Sequence, residues 1–88
     1  MVRRPELYFF RDTNGNEVDL IIKSQRELIP VEIKSAATFT PHFIKGIERF
    51  RQAAGDRCRQ GHVLYGGEKS LTFKGVRINN PFLSGEFI

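Results

Sequence analysis

Three residues in the stretch Glu17–Lys34, EVDLIIKSQRELIPVEIK, are of types that can act together: Asp19, Glu32 and Lys34. The stretch reads as two β-strands joined by a short polar turn. Side chains alternate faces along a strand, so Glu32 and Lys34 share one face, while Val31 and Ile33 share the other. On the preceding strand the same alternation predicts Val18, Leu20 and Ile22 packed inward, with Asp19 on the opposite face. If the strands pair, the two carboxylates come close. Close carboxylates repel unless a positive charge lies between them, and a hard divalent cation with oxygen ligands, Mg²⁺ or Mn²⁺, is the usual solution. A neighbouring lysine then orients a water or steadies a phosphate. The plainer alternative is three solvated charges on the open face of a half-exposed sheet, with at most a cross-strand ion pair. Glu17 shares the face of Asp19 and reads as a solvated charge before an extra ligand. Ser35 reads as the start of a turn.

The elements that must position these residues follow from pattern. Leu7–Arg11, LYFFR, is an aromatic-rich strand. Asp12–Asn16 is a turn, because Asn14-Gly15 tolerates the positive φ of tight hairpins. Glu17–Lys23 returns, Ser24–Glu27 turns again, and Leu28–Lys34 is the third strand. Pro30 cannot donate to a ladder, so the well-paired part is expected at Val31–Lys34, with Pro30 at its start or facing an unpaired side. Phe39–Ala54 then switches to helical spacing, with Phe39, Phe43, Ile47 and Phe50 on one stripe. Thr40 suits the N-cap, Pro41 the first helical position and Gly55 the end. A staple of Phe39 on Ile44 is expected. Gly46 inside the helix points to a close approach to the sheet. Lys45, Arg49 and Arg51 are expected outward. Gly61–Tyr65 is a buried strand, and Leu71–Lys74 with Val76–Asn79 flank Gly75 as a small terminal hairpin. The tail Pro81–Ile88 is expected to dock through Phe82, Leu83, Phe87 and Ile88. The order β-β-β-α-β, with a short C-terminal hairpin, makes an α/β fold of one mixed sheet and at least one helix.

With 88 residues the chain holds one small domain, marginal on its own. No apolar run approaches the ~20 residues of a membrane helix, and no signal-peptide pattern opens the chain. The single cysteine, Cys58, forms no internal disulfide, which fits a reducing cytoplasm. A net charge of +4 favours a polyanionic partner weakly.

An acid on a hairpin strand, a short gap and then Glu-hydrophobic-Lys on the next strand resembles the PD-(D/E)XK nuclease superfamily. Here those elements are Asp19 and Glu32-Ile33-Lys34. The fuller string YFFRDTNGNEVDLII…LIPVEIKSA…FTPHFIKGIERF…GHVLYGG is similar to the domain of unknown function at the C-terminus of many prokaryotic AAA-type ATPases, itself a nuclease-like fold. The likeness runs from about Leu7 to Gly67. It implies a restriction-endonuclease-like core. It also implies Asp19, Glu32 and the backbone carbonyl of Ile33 as ligands of Mg²⁺ or Mn²⁺, with Lys34 orienting the water that hydrolyses a phosphodiester. Members generally carry a helix before the first strand, often with a further acid. Only Met1–Glu6 precede the hairpin here, and no G-x-x-x-x-G-K-[ST] loop is present. The chain therefore reads as a single nuclease-like domain, a fragment or truncated form of an ATPase-linked protein.

The expected partner is DNA, contacted through Lys23, Lys45 and Arg49, with Arg51, Arg57 and Arg59 beside them. An ordinary solvated helix face is the competing reading. A non-catalytic DNA-binding or oligomerising module, with an ATPase or a second copy as partner, is the alternative to cleavage. His42 and His62 lack metal-ligand spacing and read as structural. Tyr8, Phe9, Phe10, Phe43, Phe50 and Tyr65 read as core before base-stacking platforms. Gly66-Gly67 reads as a turn.

Overall fold

The computed structural model describes residues 6–85. Met1–Pro5, with the basic Arg3 and Arg4, and Phe87 and Ile88 of the tail lie outside them. Strand β1 (Glu6–Arg11) and β2 (Glu17–Ser24) form the expected hairpin. Its turn is built by Asp12, whose carboxylate accepts from the backbone N–H groups of Asn14 and Asn16, each at 2.9 Å. Gly15 takes the positive φ of 82°. Strand β3 (Glu27–Lys34) follows a tight turn in which Gln25 is left-handed, at φ 58°.

Pro30 does not confine pairing to Val31–Lys34, yet it takes one of its two expected places, with its N side unpaired. It stands opposite Ile21 inside the β2–β3 ladder, which runs from Ser24↔Glu27 to Leu20↔Val31. Donors alternate sides along a strand, and Ile33 N–H points toward β2. The missing donor of Pro30 therefore faces the other way, toward β4, where the parallel ladder begins only at Val31.

A crossover carries the chain to β4 (Gly61–Tyr65), parallel to β3. It holds a 3₁₀ turn (Pro41–Ile44), α1 (Lys45–Ala54) and a second 3₁₀ turn (Gly55–Arg57). The regular helix thus starts later than the apolar stripe. Thr40 is extended and makes no side-chain cap; its carbonyl accepts from Phe43 N–H at 3.0 Å and closes the 3₁₀ turn. Phe39 stacks edge-on against Phe43 and Phe73, at 5.7 and 5.5 Å between centroids, where a staple on Ile44 was expected.

The terminal hairpin is a full part of the sheet. Strand β6 (Val76–Asn79) pairs parallel to β4, and β5 (Leu71–Phe73) takes the edge. The result is one six-stranded mixed sheet in the order β1-β2-β3-β4-β6-β5, with α1 on one face. Ile44, Ile47, Val63, Val76 and Ile78 are fully buried between them. Arg51 does not point outward: its guanidinium donates to the carbonyls of Lys74 and Gly75, at 3.0 and 3.3 Å, and ties α1 to the β5–β6 turn. The short α2 (Pro81–Ser84) leaves Phe82 92% and Leu83 65% exposed, so these two do not dock on the body. No helix among the described residues is long and apolar enough to cross a membrane.

Candidate functional site

Strict alternation along β2 does not survive in the structure. Val18 and Ile21, three residues apart, are both buried in one cluster with Phe50, while Leu20 and Ile22 are half-buried. The cause lies in the β1–β2 register. Tyr8 faces Ile21 and Phe10 faces Val18, so the single residue Phe9 opposes two, Asp19 and Leu20. This is a β-bulge, the device by which a strand re-aims a side chain. The expectation of an inward Leu20 and Ile22 is overturned by that one extra residue.

The bulge coincides with the point where β2 and β3 part. Their ladder ends at Leu20↔Val31, one step short of the position where Asp19 would face Glu32. Reciprocal side-chain bonds replace the missing rungs. Asp19 N–H donates to Oε1 of Glu32 at 3.0 Å, and Ile33 N–H donates to Oδ2 of Asp19 at 2.8 Å. Each acid is thus held by the backbone of the other strand. Since N–H and C=O of one residue leave a strand on the same side, the carbonyl of Ile33 also points toward Asp19. Lys34 Nζ lies 3.1 Å from Oε2 of Glu32.

Glu32 is 5% exposed, and α1 is the reason. Gly46 sits over the strands so closely that a Cβ there would collide with the backbone carbonyl of Glu17 and lie 3.6 Å from Oε1 of Glu32. The close approach expected of Gly46 is therefore made onto the site itself. Of the three residues, Glu32 stands buried beneath the start of α1, Lys34 is half-buried, and Asp19 is exposed at the cleft's rim. Burial pushes the Glu32 carboxyl upward in pKa; the Lys34 ammonium opposes this, and the negative Asp19 adds to it.

A cleft of about 330 Å³ opens here, lined by Asp19, Glu32 and Lys34 together with Asn16, Glu17, His42 and Lys45. Glu17 is engaged by Arg11 at 3.0 Å. Lys23 does not join them: it lies four residues further along β2, roughly 13 Å away at strand rise, opposite Glu6 and Leu28. Arg49 is exposed one turn along α1 from Lys45. His42, read as structural from its lack of metal-ligand spacing, belongs to the cleft wall. The signal was its position three residues before Lys45, which puts both on one side of the helix start. Of the six aromatics expected in the core, Phe43, Phe50 and Tyr65 are buried and Phe10 packs edge-on against Phe50 at 5.2 Å, whereas Tyr8 and Phe9 are exposed. Arg57 and Arg59 lie on the far side, bonded to the Arg26 carbonyl and to Glu27.

The groups locked together at the strand parting offer oxygen donors, two carboxylates and a strand carbonyl, and the imidazole of His42 stands in the cleft wall beside them. Among the described residues no group of three or more His, Cys, Asp or Glu side chains is gathered as a metal cluster. Two carboxylates and a carbonyl are the donor number that Mg²⁺ accepts, since it keeps several waters of its own.

Comparison with known proteins returns no matching curated protein and no matching solved structure. One family model matches, over residues 2–83 and so nearly the whole chain, and the chain belongs to that family, the domain of unknown function DUF4143.

Proposed function

We propose that this domain is a nuclease of the PD-(D/E)XK type with a restriction-endonuclease-like core, hydrolysing phosphodiester bonds of DNA with Mg²⁺ or Mn²⁺. The observation that carries the reading is the reciprocal lock of Asp19 and Glu32 at the point where β2 and β3 separate, with Lys34 against it. Holding two acids in a half-buried cleft costs stability, and such an arrangement persists where a function requires it. Asp19 and Glu32, with the Ile33 carbonyl, are the residues that would hold the ion. A bound divalent cation supplies a Lewis acid and lowers the pKa of its water. Lys34 would position the attacking water, and it balances the charge of Glu32 at 3.1 Å. Gly46 and Phe43 line the cleft on its α1 side.

A second reading, a non-catalytic DNA-binding module attached to an ATPase, is favoured by one observation: Lys34 is already engaged by Glu32. Plasmid nicking separates the two. The nuclease reading expects relaxed product with Mg²⁺ or Mn²⁺, none with EDTA, and a loss of at least 100-fold in Asp19→Ala and Lys34→Ala. Persistent nicking in both variants, or none in the wild type at any divalent concentration, overturns it.

A further inference from the structure

The cleft is electrostatically lopsided. Its β1–β2 wall carries Gly15, Asn16 and Glu17, the last paired with Arg11. Its opposite wall, where the chain enters α1, carries His42 and Lys45, both exposed. Neither makes an ion pair with a carboxylate among the described residues. Arg49 continues the same side. Positions 42, 45 and 49 are spaced by three and four, the separation that stacks side chains on one flank of a helix. The stripe begins inside the cleft and runs out of it along α1 for ~12 Å, taking 3₁₀ rise for the first turn and α rise after it. Asp12, in the β1–β2 turn, has its carboxyl held below the usual range chiefly by hydrogen bonds from Asn16 and Asn14, with a smaller contribution from the Arg49 charge. That acid marks the outer boundary of the stripe.

We propose that His42, Lys45 and Arg49 form a phosphate track that leads one strand of nucleic acid into the Asp19–Glu32 cleft, with His42 nearest the acids. The track deepens the nuclease reading and rests on it for its direction, but binding does not depend on cleavage. A single strand is the fitting ligand for two reasons. The cleft, at about 330 Å³, is walled on both sides and has room for about one nucleotide. The stripe is two cations and an imidazole in one row, about as long as two or three nucleotides of an extended strand, the pattern of an electrostatic groove that follows a backbone. With phosphates along α1, sugars and bases face the Asn16 side.

The test is fluorescence anisotropy with a labelled 20-mer of deoxythymidine in EDTA, over a salt series, so that no metal and no cleavage enter. Lys45→Ala with Arg49→Ala is expected to weaken binding at least tenfold and to reduce the slope of log K against log salt by about 1.4, two single-strand phosphate contacts. His42→Ala is expected to weaken it severalfold, and Arg26→Ala, in the β2–β3 turn away from the track, to leave it unchanged. Far-ultraviolet circular dichroism melts verify that each variant is folded. Equal affinity of wild type and the folded double variant overturns the track. A duplex of equal length bound as tightly as the single strand overturns the single-strand assignment. Loss of binding in the track variants, in a protein that nicks nothing with Mg²⁺, upholds the track while the nuclease reading falls.

Discussion

Glu32 decides most at the scale of a single residue. Its carboxyl accepts from Asp19 N–H, meets Lys34 and is roofed by Gly46, so the charged form is held where water is scarce. Its pKa is raised chiefly by that burial, against the opposing Lys34, so folding favours the protonated form more than the unfolded chain does. The linkage then has a definite sign. The favourable contribution is present below the ordinary carboxylate pKa and is lost as pH rises through the raised value, so at neutral pH the charged Glu32 is a cost. Glu32→Gln keeps the shape and the acceptor for Asp19 N–H. It is expected to raise stability at pH 7 by roughly 1 kcal/mol, a gain of the size found when strained functional groups are neutralised. The gain should shrink toward zero near pH 4. Thermal melts at the two pH values check this; equal destabilisation at both would show that the ionised carboxylate is a structural asset. Cys58 repeats the lesson in a blander setting: burial raises its thiol, against Arg51, so it is no activated nucleophile.

Among the elements, α1 and β2 carry the argument. The helix reaches the strands only because position 46 is glycine, and that contact lies over the site, not over the aliphatic core. The neighbour that a methyl group would meet is backbone, the Glu17 carbonyl, which cannot swing aside. Gly46→Ala is therefore expected to destabilise the domain by about 1–3 kcal/mol through overpacking, despite the better helix propensity of alanine. Denaturant titration checks it; a stabilised variant would mean that α1 sits further from β2. In β2 the bulge at Asp19 and Leu20 performs the matching task, turning an alternating strand into one that buries Val18 and Ile21 and gives Asp19 to the cleft. Period-two reading of EVDLII could not reveal this, because the extra residue is registered only against Phe9 on the neighbouring strand. Asp19 was nonetheless legible as a candidate, since the acid's type and its distance from Glu32-Ile33-Lys34 do not depend on which face β2 presents.

For the molecule as a whole, the strands, the crossover helix and their order were legible wherever local chemistry dictates them. Asn14-Gly15 fixes the first hairpin, the spacing of Phe43, Ile47 and Phe50 fixes the buried face of α1, and GHVLY marks β4 to the residue. Long-range pairing was not legible. That β6 inserts beside β4 and sends β5 to the edge is settled by partner choice between strands, and VRIN carries no mark of it. The late start of α1 and the strap from Arg51 to Lys74 and Gly75 are likewise tertiary outcomes. His42 is not legible as a cleft residue, because its spacing carries no ligand pattern and its place in the wall is set by how the 3₁₀ turn packs over β3.

The most direct test of the account is isothermal titration of Mg²⁺ or Mn²⁺ into the wild-type chain and into Asp19→Ala, both verified as folded by circular dichroism. The account predicts one saturable site in the wild type, with a rise in melting temperature that grows with metal concentration, and the loss of both in the variant. Wild-type protein that takes up no divalent ion, or a variant that binds it equally well, would contradict the claim that Asp19 and Glu32 are set together to hold a cation.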